Sequence, residues 1–172
     1  MNTLFSHVCV VTMDDRMSVW TDAFVGVTDG KISYLSKHAP EEKPDQIIDA
    51  TGMVLMPGLI NCHTHLPMQL LRGYADDLKL QEWLNDYIFP REDRLDGRCV
   101  RAATTLAVAE CLKFGVTSVS DMYYFCDDIC DVIAKSGMKA NISRGTSMFL
   151  GDDFDFEKFP KTLIVITLVY LL

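Results

Sequence analysis

The stretch that most constrains this chain is Val54-Leu55-Met56-Pro57-Gly58-Leu59-Ile60-Asn61-Cys62-His63-Thr64-His65-Leu66. It is an apolar run, interrupted by Pro-Gly, that ends in two histidines one residue apart. Side chains alternate along a β-strand, so His63 and His65 point to the same side of one. Two neutral imidazoles side by side are half of a ligand set for zinc or a similar first-row ion. The competing reading is a chance His-x-His on a surface strand. Pro57 and Gly58 break the chain just before the strand, and polar, turn-prone residues follow it. The pair therefore falls at the C-terminal end of a short strand, the end at which parallel α/β folds keep their chemistry.

The residues before this stretch read as β. His7-Val8-Cys9-Val10-Val11 is strand-like, and Asp14-Asp15 marks a turn. Ala23 to Val27 and Lys31 to Leu35 flank Thr28-Asp29-Gly30, and an Asp-Gly pair between alternating segments is a strong hairpin signal. Ala39 to Asp45 is a solvated loop, and Ile47 to Asp49 and Met53 to Met56 are two more short strands around Thr51-Gly52. Together they make a small sheet module whose edges need a cover.

After His65 the pattern becomes helical. Leu80, Trp83, Leu84, Tyr87 and Ile88 form an apolar helix face, and Pro90 is expected to stop that helix. Cys99 to Phe114 is the longest helical candidate, with Ala102, Ala103, Leu106, Ala107, Ala109 and Leu112 as its apolar residues and Gly115 at the C-terminal cap position. A β-branched strand, Val116 to Asp121, follows. Asp127 to Lys135 reads as a helix and Met138 to Arg144 as a further strand. Strand, helix, strand, helix, strand is the pattern of βαβ units in a parallel sheet.

Composition narrows the function classes. Hydrophobic residues make up 49% of the 172 and charged residues 23%, which argues against disorder. A formal charge of −8 without any basic stripe argues against binding a nucleic-acid backbone. Six cysteines (Cys9, Cys62, Cys99, Cys111, Cys126, Cys130) include no C-x-x-C pair and read as reduced core residues of a cytoplasmic protein. No signal-peptide pattern opens the chain. Lys161 to Leu172 is almost wholly apolar, too short for a membrane span of about 20 residues, and reads as a truncated or frame-shifted tail.

Met56-Pro57-Gly58-Leu59-Ile60-Asn61-Cys62-His63-Thr64-His65 closely resembles the amidohydrolase superfamily. The likeness is to its deaminase and chlorohydrolase branch, which contains the 5′-methylthioadenosine/S-adenosylhomocysteine deaminases. It runs from about Val8 to about Phe159 through Arg72-Gly73, Asp76-Asp77-Leu78, Glu82-Trp83-Leu84, Pro90-Arg91-Glu92, Phe114-Gly115-Val116-Thr117, Asp121-Met122-Tyr123 and Arg144-Gly145. The resemblance implies an α/β fold, in which residues 1–54 are part of a β-sandwich built from both chain ends. Residues 55–160 would be the first three or so βα units of a metal-dependent (β/α)8 barrel, and 161–172 the apolar tail.

It further implies one divalent metal, zinc first and iron second, that activates water, with His63 and His65 as two of its ligands. Glu92 and Arg144 match substrate-binding positions, and Trp83 matches an aromatic wall against a purine. The implied activity is deamination of an adenine-type nucleoside. A guanine or cytosine deaminase, a chlorohydrolase and a non-catalytic fragment kept for binding are the alternatives. The implied partner is a small purine-nucleoside substrate, with no nucleic acid and no membrane, and a homo-oligomer is compatible with the family.

Each of these residues also has a structural reading. Glu92 in Pro-Arg-Glu-Asp-Arg could be a solvated charge, Arg144 a strand-end ion pair and Trp83 a packing residue. Asp121 either faces the mouth of the sheet or caps the next helix. The family completes its site with two later histidines, a late aspartate and a proton-shuttling glutamate. No histidine follows Arg144, and the acidic loop of Asp152, Asp153, Asp155 and Glu157 falls in the wrong part of the chain to supply them. A whole barrel takes about 250 residues, so the chain is expected to be a fragment with little catalysis of its own.

Overall fold

The computed structural model describes residues 1–144, and these divide into two units, one spanning Met1–Pro57 and one beginning at Gly58. The acidic loop and the apolar tail lie outside the described residues.

The first unit is a five-stranded sheet. β1 (Thr3–Val11) pairs antiparallel with β2 (Val19–Thr28), which pairs antiparallel with β3 (Lys31–Ser36). On its other edge β1 pairs in parallel with β4 (Gln46–Asp49) and then with β5 (Val54–Leu55). The β2–β3 hairpin closes through Asp29 (φ 50°) and Gly30 (φ 74°), the two left-handed residues that a type I′ turn needs and that an Asp-Gly pair supplies. β1 starts four residues earlier than its apolar run predicts. His7 sits at φ 58° where the β1–β2 register slips, a bulge that interrupts the alternation the sequence reading relied on. Val8, Val10, Ala23, Val25 and Ala50 form this unit's core.

In the second unit, β6 (Leu59–Thr64), β7 (Val116–Tyr123) and β8 (Lys139–Arg144) form a parallel sheet in that order. α3 (Gly97–Lys113) connects β6 to β7, and α4 (Cys126–Ser136) connects β7 to β8. The expected βαβ succession is therefore present. Asp96 caps α3 by accepting from the Cys99 N–H at 2.7 Å, and Gly115, at φ 80°, turns the chain out of it. Arg101 of α3 pairs with Asp128 (2.6 Å) and Asp131 (2.9 Å) of α4 and ties the two helices together.

α3 buries Val100, Ala103, Thr104, Ala107 and Val108, while Leu106 and Leu112 are exposed. The helix carries apolar residues on more than one face, and the sheet, not the periodicity, selects which is covered. Two further expectations are corrected. Cys62 is exposed and only Cys126 is fully buried, although all six cysteines are free. Pro90 does not end its helix. The run continues through α1 (Leu80–Glu82), a π-wound turn (Trp83–Ile88) and α2 (Phe89–Glu92), with Pro90 in the first turn of α2. The missing N–H of a proline is tolerated where a new helical segment starts.

β6 is exposed on both faces, and its outer edge carries no strand among the described residues. No helix among those residues is long and apolar enough to cross a membrane.

Gly58 opens β6 against β7, and a β-carbon built on it would overlap the Thr117 side chain. Gly58→Ala should therefore destabilise the chain by about 1–3 kcal/mol in urea unfolding. Adding Thr117→Ala should recover part of that loss.

Candidate metal and substrate site

β6 carries His63, and the chain leaving it carries His65. Their ring centroids are 5.2 Å apart with the planes at 83°. His63 is exposed and His65 half-buried. His65 Nδ1 lies 2.6 Å from the Met122 carbonyl oxygen on β7. A carbonyl can only accept, so Nδ1 carries the proton, and in the neutral ring Nε2 then has the lone pair with which histidine binds a metal. Two imidazoles so placed fit a first-row ion such as zinc or iron as half of a four-coordinate shell. No group of three or more His, Cys, Asp or Glu able to hold an ion occurs among the described residues.

Asp121 lies opposite Thr64 in the β6–β7 register and is 1% exposed. Its Oδ1 accepts from the Thr64 hydroxyl at 2.7 Å and the Leu66 N–H at 2.8 Å, and its Oδ2 has no partner among the described residues. Burial pushes its pKa above the ordinary carboxylate range, against the lowering effect of these two hydrogen bonds. It does not cap α4, whose N-cap is the left-handed Phe125 without any side-chain cap. Of the two sequence readings of Asp121, the capping one is thereby removed.

A cavity of about 290 Å³ is lined by His65, Trp83, Leu84, Ile88, Glu92 and Tyr123, among others. Trp83 and Glu92 are nine residues apart, which on an α-helix at about 100° per residue would put them on opposite faces. The π-wound turn between them rotates each residue less and so narrows that angle, and both side chains line the cavity. Glu92 is half-buried and accepts a 2.5 Å hydrogen bond from the buried Tyr123 hydroxyl. It is not a solvated charge. Burial, and then the Glu92 carboxylate, hold the Tyr123 phenol far above the usual tyrosine pKa.

His63 lines a second, more open cleft of about 410 Å³, which it shares with His65 and Trp83. Arg144 ends β8 opposite Tyr123 and pairs with Asp127 at 3.4 Å. It lines a third cavity, of about 640 Å³, together with Glu92. The structure thus groups His65, Trp83 and Glu92 in one cavity, with His63 and Arg144 to either side in adjoining ones. Tyr123 and the Met122 carbonyl were not singled out as single residues from the sequence. Their sequence signal is the Asp121-Met122-Tyr123 run of the family resemblance, and the structure adds that Val119, Asp121 and Tyr123 are buried on one face of β7.

Comparison with known proteins decides the lineage. The model of the amidohydrolase family matches residues 54–148. The chain belongs to the amidohydrolase family. It is 41% identical over 142 residues to a 5′-deoxyadenosine deaminase of Methanosarcina acetivorans, covering 83% of this chain and 33% of that protein. It is 39% identical over 147 residues to a 5-methylthioadenosine/S-adenosylhomocysteine deaminase of Pelotomaculum thermopropionicum, covering 84% and 34%. Among solved amidohydrolase structures it superposes on a zinc-bound adenosine deaminase from Xanthomonas campestris with a TM-score of 0.74 and 35% identity, over 81% of this chain and 33% of that one. The zinc complex of the atrazine chlorohydrolase TrzN from Arthrobacter aurescens gives a TM-score of 0.74 at 23% identity, over 83% and 35%, a likeness of fold alone. This amidohydrolase chain spans about a third of the length of the curated relatives it matches. The α/β fold is that of the opening βα units of their barrel.

The raised Tyr123 pKa has a pH consequence. Between about pH 10, where an unfolded chain's tyrosines ionise, and the higher folded value, the native state holds the extra proton. This stabilisation is complete below about pH 10 and lost as pH rises further. An alkaline absorbance titration should show a tyrosine component that ionises late. Tyr123→Phe should remove that component and flatten the loss of stability above about pH 10.

Proposed function

We propose that this amidohydrolase is a zinc-dependent hydrolase that deaminates an adenine-type nucleoside, such as 5′-deoxyadenosine, methylthioadenosine, S-adenosylhomocysteine or adenosine. The observation that carries the reading is one cavity lined at once by the His65 ring, an indole and a carboxylate. The names of the 39–41% identical relatives and of the 35% identical adenosine deaminase support the substrate class. Zinc is supported by the same solved structure, with iron as the alternative ion.

In this reading His63 and His65 would hold the metal through ring nitrogens. Bound there, zinc would lower the pKa of water from 15.7 toward about 7 and make hydroxide available at neutral pH. The Trp83 indole stacks on the purine, and the half-buried Glu92 accepts hydrogen bonds from nucleoside hydroxyls. Arg144 contacts the substrate from the adjoining cavity. The net reaction breaks the exocyclic C–N bond of the adenine ring, forms a C–O bond from water and releases ammonia. Leu84 and Ile88 add apolar walls to this cavity. With two imidazoles as its described donors, this chain alone should hold zinc weakly and turn over slowly or not at all.

Zinc competition against a chromophoric chelator tests the metal assignment. His63→Ala and His65→Ala should each weaken binding at least about tenfold, and binding indifferent to both would overturn it. Adenosine and cytidine titrations, followed by tryptophan fluorescence and calorimetry, test the substrate class. Adenosine should bind more tightly, and Trp83→Ala should cost about 1–3 kcal/mol of that affinity. Equal binding of the two nucleosides would overturn the adenine-type reading. Ammonia release at an enzyme-like rate from these residues alone would overturn the expectation of weak turnover.

A further inference from the structure

The end of β7 holds His65 and its two chain neighbours by three hydrogen bonds. Oδ1 of Asp121 accepts from the side chain of the residue before it (Thr64, 2.7 Å) and from the main chain of the residue after it (Leu66, 2.8 Å), while the Met122 carbonyl accepts from its ring. Asp121 is 1% exposed, and its second oxygen is buried without a partner among the described residues. A core does not retain a half-satisfied carboxylate at no cost. Valine or threonine would fill a β-strand position more cheaply if packing were the only demand. β6 is open on both faces, so apolar packing anchors this backbone only beyond His65, where Leu66 is buried in the core. The hydrogen bonds to Asp121 fix it on both sides of the ring.

We propose that Asp121 is a positioning residue of the metal site. By pinning the chain immediately before and after His65, it holds the imidazole where Nδ1 meets the Met122 carbonyl, and so directs the Nε2 lone pair outward as a ligand. The inference rests on His65 being a metal ligand. Asp121 itself touches neither metal nor substrate.

The test uses the full 172-residue chain, labelled with ¹⁵N, and two readouts. Long-range ¹H–¹⁵N NMR of the metal-free chain reports the His65 tautomer, and chelator competition reports zinc affinity. The wild-type ring should be the Nδ1–H form. In Asp121→Asn the amide oxygen can still accept from both Thr64 and Leu66, so the tautomer should persist and zinc affinity should stay within a few-fold, even if the melting temperature falls. In Asp121→Ala the ring should average between tautomers and zinc affinity should drop about tenfold. An unchanged tautomer and affinity in Asp121→Ala would overturn the proposal. If that variant does not fold, Thr64→Val decides. It keeps the shape and deletes one of the two donors, so a second tautomer should appear, and its absence would overturn the proposal equally. Zinc that leaves the wild-type His65 Nε2 resonance unmoved would instead overturn the metal assignment, a separate failure because the tautomer is read without metal.

Discussion

The site hangs on a hydrogen-bonded seam where β6 and β7 end side by side. Parallel pairing opposes Thr64 and Asp121, which puts a buried carboxylate beside the chain that carries His65 and the Met122 carbonyl beside its ring. A buried carboxylate that accepts two hydrogen bonds is held in one geometry, because each bond lost would expose a desolvated charge. The same strand, two residues on, presents the Tyr123 hydroxyl to Glu92. One strand end thus orders both the candidate metal ligand and the candidate substrate carboxylate, although those two residues come from different elements.

The helical run after the histidines has a complementary task. A regular α-helix would have sent Trp83 and Glu92 to opposite sides. The π-wound turn narrows that angle so that both line one cavity, and Pro90 enters the last segment without a break. π-turns are uncommon inside α-helices and gather at functional sites. Here the local departure has a visible product, a cavity with an aromatic wall, a carboxylate and an imidazole. The rest of the second unit is ordinary α/β packing, with α3 and α4 laying branched and small residues on the sheet.

Much of this was open to a reader of the sequence. The hairpin at Asp29-Gly30, the cap at Gly115 and the succession of strands and helices after His65 follow from local rules, and the structure has them. The α3 face did not follow, because Leu106 and Leu112 satisfy the same spacing as the residues that are buried. Pro90 misled because a proline ends an α-helix but not one that re-registers through a π-turn. Cys62 misled because burial is a property of what lies opposite, and β6 faces no partner layer on either side among the described residues. Glu92 looked like part of a charged run, since nothing nearby in sequence announces the tyrosine 31 positions on that hydrogen-bonds to it.

By itself the sequence determined the two-residue repeat that keeps His63 and His65 as neighbours, the parallel α/β order and the family to which the chain belongs. Backbone geometry and local sterics fix those features within a few residues. Tertiary structure alone decided that the Met122 carbonyl sets the His65 tautomer, that Asp121 clamps the neighbouring chain instead of capping α4, and that Arg144 meets Asp127 at the rim of a different cavity. Each of these is a contact between residues far apart in the chain or on separate elements, and the energy that selects it exists only once the strands are paired.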